Sequence, residues 1–266
     1  MSEVYKAPEA QLHENAENSN DYGSLESALA GNYELQPIKL IKDAWGSLKG
    51  FMGIFWLAFI IYLVISSIVS AVTGLFVTPI EQQIILQQAT DPEASIASLF
   101  TPWAITGWAA SQLLLMFITT PLTAGLYMIA IKHSVGASIR AEQVVKYFDK
   151  AVPLFLTTIL MYVFIVIGLV LFVLPGVYLM VAFMFALPLV VEKDMSPMEA
   201  LSTSRKAVHH KWFNFLGLGF VAIVVIIIGM IALLIGLVWA IPVVSLAYAL
   251  AYRDIFGVEA KTAIEN

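Results

Sequence analysis

Of the chain's 266 residues, 60% are apolar in the AVILMFWYC sense and only 12% are charged, with mean hydropathy +0.85. Soluble domains carry roughly twice that charge, so a soluble enzyme, a nucleic-acid-binding protein and a disordered chain are all excluded. Cysteine is absent, which removes disulfides, thiolate metal sites and cysteine nucleophiles together.

The net charge of −5 is unevenly spread. Residues 1–36 hold Glu3, Glu9, Glu14, Glu17, Asp21, Glu26 and Glu34 against the single cation Lys6. That composition predicts an acidic, flexible cytoplasmic tail. No basic start runs directly into an apolar stretch, so a cleaved signal is not expected and the first span serves for insertion.

Charge is missing from residues 50–80, 94–131, 151–191 and 212–252. A single helix over either of the last two would be about 60 Å long, twice the hydrocarbon core of a bilayer. Each must therefore cross twice, the first turning at Leu174-Pro175-Gly176 and the second near Gly236, with Trp239 at headgroup level. Six spans follow, at about 51–75, 104–131, 152–173, 177–191, 213–234 and 238–252, within a membrane domain over 37–254 and ahead of a short C-terminal tail, 255–266. The predicted fold class is all-α, a polytopic membrane bundle of three helical hairpins, each preceded by a short basic amphipathic helix (38–49, 141–150 and 197–211). Part of the repeat is exact in spacing: Pro121, Tyr127, Ala130 and Lys132 in the second span match Pro242, Tyr248, Ala251 and Arg253 in the sixth.

With the N-terminus placed in the cytoplasm, all 14 basic residues fall on the inner side. The positive-inside rule played no part in placing the spans, so this segregation predicts both termini inside the plasma membrane. Between the first two spans, Asp91-Pro92-Glu93 and the apolar positions Ile80, Ile84, Ile96, Leu99, Phe100 and Trp103 predict two short helices lying on the outer interface.

Ser196-Pro197-x-Glu199 reads as a capping box with proline at the first helical position, starting a helix that carries Arg205, Lys206, His209, His210 and Lys211 in its last turns. Arg205, Lys206 and Lys211, with Lys146 and Lys150, are the candidate contacts for anionic lipid headgroups or a partner. Adjacent histidines on a helix point about 100° apart, so His209-His210, even with His133, makes a poor metal site and none is expected. No predicted span contains Asp, Glu, Lys, Arg or His, which argues against ion-coupled transport and intramembrane catalysis. Ser66, Ser70 and Thr73, at helical spacing on the first span, with Thr120 and Thr123 on the second, could line a polar pathway; small hydroxyl residues also serve close helix packing.

The run Leu174-Pro175-Gly176-Val177-Tyr178, then Ala186-Leu187-Pro188-Leu189-Val190-Val191-Glu192 and Pro197-x-Glu199-Ala200-Leu201-x-x-Ser204, resembles bacterial inner-membrane proteins of the YciC-like and proline- and glycine-rich transmembrane types. The stretch Ser24-Leu25-Glu26-x-Ala28-Leu29-Ala30-Gly31-Asn32-Tyr33, leading to Ala44-Trp45 and Lys49-Gly50, is similar to their leader. The resemblance covers most of 24–254 and implies a six-span plasma-membrane protein, with no catalytic residue to carry over. Related membrane domains occur fused to glycerophosphodiester phosphodiesterase domains, which implies a lipid-side setting. Two functions remain in view. One is a non-enzymatic scaffold or accessory factor in envelope or lipid homeostasis, with anionic lipid as its contact and another membrane or envelope protein as a candidate partner, without cofactor or nucleic acid. The alternative is a transporter or channel component for a small or apolar solute.

Overall fold

The computed structural model describes residues 22–90, 102–232 and 234–264. They are helical throughout, with no strand among the described residues. In chain order the elements are α1 (Leu25–Ala30), α2 (Pro37–Gly46), α3 (Met52–Thr90), α4 (Pro102–Ser134), a 3-10 segment (Ala141–Lys150) and α5 (Ala151–Leu171). There follow α6 (Val173–Ala182), α7 (Ala186–Glu192), α8 (Pro197–His209), α9 (Trp212–Ile231), α10 (Leu237–Phe256) and α11 (Ala260–Ile264). Six stretches are long and apolar enough to cross a bilayer, the fourth being α6 and α7 taken together.

The three hairpins, α3–α4, α5–α6/α7 and α9–α10, are each preceded by a short helix: α2, the 3-10 segment and α8. The ends bearing the basic residues meet. His133 at the end of α4 bonds the Ser47 carbonyl, and Arg253 near the end of α10 donates to the Ser134 carbonyl. Buried positions concentrate in the halves of the spans nearest this end, as with Phe51, Phe55 and Ala58 on the first span and Phe215 and Leu218 on α9. Beyond them the apolar side chains face outward, and 170–174 at the far tip of the second hairpin are fully exposed, as a lipid-facing surface would be.

Three expectations are corrected. The second hairpin turns at Phe172, whose backbone is extended (φ −159°, ψ 142°), and Pro175-Gly176 lie within the first turn of α6. Proline is tolerated there because its missing N–H has no helical partner in a first turn. Gly176 instead permits close packing: a Cβ on Gly168 would stand 3.0 Å from the Gly176 Cα, and one on Gly176 would stand 2.8 Å from the Leu169 nitrogen. In a bilayer, where apolar burial drives little, such backbone proximity is what holds two helices together. Gly229 and Gly236 make the same approach at the tip of the third hairpin, whose turn passes through Leu234 in the left-handed region (φ 65°).

The second correction concerns the outer connection. α3 runs unbroken to Thr90, so the first of the two expected interfacial helices is a continuation of the first span. The run after Glu81, four glutamines with Ile84, Ile85, Leu86 and Ala89, has adequate helix propensity and contains no breaker. The second expected helix lies largely outside the described residues.

The third concerns the acidic segment. Residues 22–36 are folded, while 1–21 lie outside the described residues. Ser24 and Ser27 form a reciprocal capping box on α1, and Gly31 ends that helix in the left-handed conformation (φ 76°). Ala28, Tyr33 and Leu35 are buried against the basic end. Glu26 and Glu34 raise the local acidity, but the apolar side chains between them find a surface to bury, which composition alone does not reveal.

Candidate lipid-contact site at the basic end

The leader is fixed by polar groups from α8, the third hairpin and the link between them. The Tyr33 hydroxyl donates to the Ala207 carbonyl at 2.7 Å, Asn214 donates to the Leu35 carbonyl at 2.9 Å, and His210 meets the Leu29 carbonyl at 3.0 Å. Lys211 donates to the Tyr33 carbonyl and sits 5.1 Å from the centre of its ring. Burial pushes the Tyr33 phenol up to about 12. At the leader's start, the Gly23 N–H reaches the Arg253 carbonyl at 3.3 Å, and the Arg253 guanidinium lies 4.7 Å from the Tyr22 ring centre.

Below the leader, the break in the fourth span leaves backbone groups that need partners. Ser204 of α8 bridges it, its hydroxyl donating to the Ala182 carbonyl at 2.7 Å and accepting from the Phe185 N–H at 3.2 Å. Proline has no N–H to give the carbonyl four residues earlier. Pro188 thereby frees the Met184 carbonyl, which the Tyr248 hydroxyl takes at 2.5 Å. Pro242 frees the Val238 carbonyl, which the Trp56 indole takes at 3.0 Å. Pro188 and Ser204 of the sequence motif thus belong to a backbone-satisfaction scheme.

Two charged side chains just past the predicted span ends are fully buried in this layer, Lys132 and Glu192. The Glu192 carboxylate accepts from the Tyr252 hydroxyl (2.9 Å) and the Glu259 N–H (2.6 Å), with the Lys193 ammonium at 3.2 Å. Buried charge is tolerable only when it is bonded in this manner.

The candidate headgroup residues separate into distinct groups. Arg205 and Lys206 are exposed and have no ionic partner among the described residues. Lys211 is half-buried and committed to the leader. Lys150 donates to the Val191 carbonyl at 3.0 Å and pairs with Asp194. Lys146 lines a cavity of about 270 Å³ with Lys150, Asp194 and Lys261. Lysine hydrogen bonds hold the Asp194 carboxyl below the usual carboxylate range, Lys150 foremost and Lys261 at 2.6 Å second. Ser196 and Glu199 stand at the start of α8, with Glu199 reaching back to the Ser196 N–H and hydroxyl, both at 3.4 Å.

Sequence reasoning missed α2 as a contact element. Leu40 and Ala44 face inward while Ile38 and Trp45, seven residues apart on one side, are 76% and 58% exposed. Lys39 and Lys42 are exposed beside them, without an ionic partner among the described residues. Amphipathic spacing with lysine at the margin was the available signal.

The hydroxyls of the possible polar pathway are used locally. Thr73 donates to the Ser70 carbonyl, Thr120 to Met116 and Thr123 to Thr119, each within its own helix. The Ser66 hydroxyl is buried without a hydrogen-bond partner, and Ser70 is exposed on the outside of its helix. Neither cavity at the basic end is lined by any of them. The histidines diverge as well, His133 to Ser47, His209 to the Tyr178 hydroxyl and His210 to Leu29, and no group of three metal-ligating side chains exists among the described residues.

Fold and site together define an integral membrane protein with six membrane-spanning segments and a basic, polar-bonded end. Residues 144–252, from the 3-10 segment to the last turns of α10, match the family model described as the membrane domain of glycerophosphoryl diester phosphodiesterase. No curated protein and no solved structure matches the chain.

Proposed function

We propose that this chain is a non-enzymatic inner-membrane protein that holds anionic lipid at its cytoplasmic, basic face and acts as a scaffold or accessory factor in envelope or lipid homeostasis. The observation that carries the reading is the pairing of cations that have no ionic partner among the described residues with exposed apolar anchors at one end: Lys39, Lys42, Arg205 and Lys206 with Ile38 and Trp45. A tryptophan at the interface with lysines beside it suits a surface where acyl chains meet phosphates. Each exposed cation near an anionic leaflet contributes about 1 kcal/mol. The likeness of 144–252 to the membrane domain of glycerophosphoryl diester phosphodiesterase supports a lipid-related setting, and the segregation of the basic residues to one side of the spans supports the cytoplasmic orientation.

Native mass spectrometry of the full chain released from bilayers containing phosphatidylglycerol tests the lipid contact. A K39A/K42A/R205A/K206A variant should retain fewer anionic lipids than wild type, with Lys211 left in place because it secures the leader. Equal retention would refute the contact. Orientation is accessible separately, since the cysteine-free chain allows single-cysteine labelling at Lys42 or Lys206 from either side of the membrane.

A further inference from the structure

The cavity of about 270 Å³ at the basic end is far larger than one water needs, about 10–15 Å³ by the same kind of measure. It is assembled from segments distant in sequence: Lys146 and Lys150 of the 3-10 segment, Asp194 of the α7–α8 connection, and Lys261 and Thr262 of α11, with Met128 of α4 also in its lining. Asp194 occupies the left-handed backbone region (φ 51°), and its two oxygens are divided between two lysines, Oδ1 on Lys150 and Oδ2 on Lys261. A single carboxylate therefore stands where an anion would be held by two ammonium groups. Its side chain is 57% exposed, on a connection between two helices, so it can swing into solvent without unpacking the core.

We propose that this cavity is a phosphate-ester site, in which a phosphate takes the place of the Asp194 carboxylate between Lys150 and Lys261. A phosphate carries more acceptor oxygens than a carboxylate and can engage both ammonium groups together with Lys146, and charge-assisted bonds of this kind are about twice as strong as neutral ones. Asp149 in the lining and Glu259, 3.0 Å from Lys261, limit the excess of positive charge, so the site discriminates by geometry as well as by charge. The phosphate is either a lipid headgroup or a soluble phosphate ester. The lipid form rests on the reading that this end faces anionic lipid, whereas the soluble form stands without it.

Thermal unfolding of the full chain in phosphatidylcholine nanodiscs, titrated with inorganic phosphate or sn-glycerol 3-phosphate at constant ionic strength, tests the soluble form. Nanodiscs of rising phosphatidylglycerol content test the lipid form. One probe should raise the midpoint saturably. K261A, which leaves the Lys150–Asp194 pair intact, should weaken the apparent affinity roughly tenfold, the worth of one charge-assisted hydrogen bond. D194N should lower the midpoint of the empty protein and yet bind more tightly, because the competing carboxylate has lost its charge. Absence of a saturable shift with every probe, or a shift unchanged in K150A and K261A, overturns the proposal and leaves Asp194 as a structural staple. K39A/K42A/R205A/K206A leaves this cavity intact, so a lost rim contact and a lost phosphate site give different patterns.

Discussion

Tyr127 of α4 and Tyr248 of α10 stack ring on ring, centroids 4.7 Å apart and planes 28° from parallel. They stand at corresponding places in the repeated spacing of proline, tyrosine, alanine and cation, so the repeat-related helices meet through repeat-related side chains. Truncating either to alanine should destabilise the protein, and the double variant should fall short of the sum by about 0.5–1.5 kcal/mol, the coupling of an aromatic pair. Thermal unfolding of the three variants in one detergent measures it. Strict additivity would show that the stack contributes nothing beyond burial.

The carbonyl freed by Pro242 depends on Trp56. Trp56→Phe removes the donor and should cost about 1–3 kcal/mol, the penalty of an unsatisfied polar group away from water. Pro242→Ala restores the backbone N–H, so it should be better tolerated in the Trp56→Phe background than in wild type. The unfolding midpoints of the four proteins report this directly.

Gly176→Ala should break the second hairpin, because the added Cβ would stand 2.4 Å from Leu169 Cδ2 and 2.8 Å from a backbone nitrogen. The expected loss is about 1–3 kcal/mol, typical of overpacking. Gly219→Ala is the control, since nothing lies within 4 Å of the added atom, and it should be neutral or stabilising. The yield of monodisperse protein after extraction separates them.

Acid should loosen the Asp194 clamp. Its folded carboxyl lies below the ordinary value, so its contribution is present above the unfolded range near pH 4 and is lost as pH falls through the folded value. Asp194→Asn should flatten the acid limb of the unfolding midpoint below the ordinary carboxylate range near pH 4. Tyr33 works in the opposite sense. Its phenol is raised to about 12, so its contribution is full below pH 10 and disappears as pH climbs through 12, and Tyr33→Phe should remove that alkaline limb.

Span positions, the hairpin repeat and the start of α8 at Pro197 were legible because each rests on a local signal: missing charge, a turn residue, a capping pattern. The turn of the second hairpin was misplaced because proline and glycine carry two meanings, and here Pro175 opens a helix and Gly176 admits a neighbouring backbone. Contacts across the chain were not legible. Nothing near Lys211 in sequence announces that it serves Tyr33, and nothing near Asp194 announces Lys261, since both partners are brought in by the closing of the bundle.

The leader also constrains the order in which the molecule can be completed. Its partners Ala207, Asn214 and Arg253 lie in the last third of the chain, so segment 22–36 leaves the ribosome long before any surface exists to receive it. The first of the described segments to be synthesised is thus among the last to be fixed, and its docking marks the point at which all three hairpins have been inserted. A chain stalled before α10 would lack the Arg253 carbonyl that receives the Gly23 N–H, so the leader would be held only by Ala207, His210, Lys211 and Asn214.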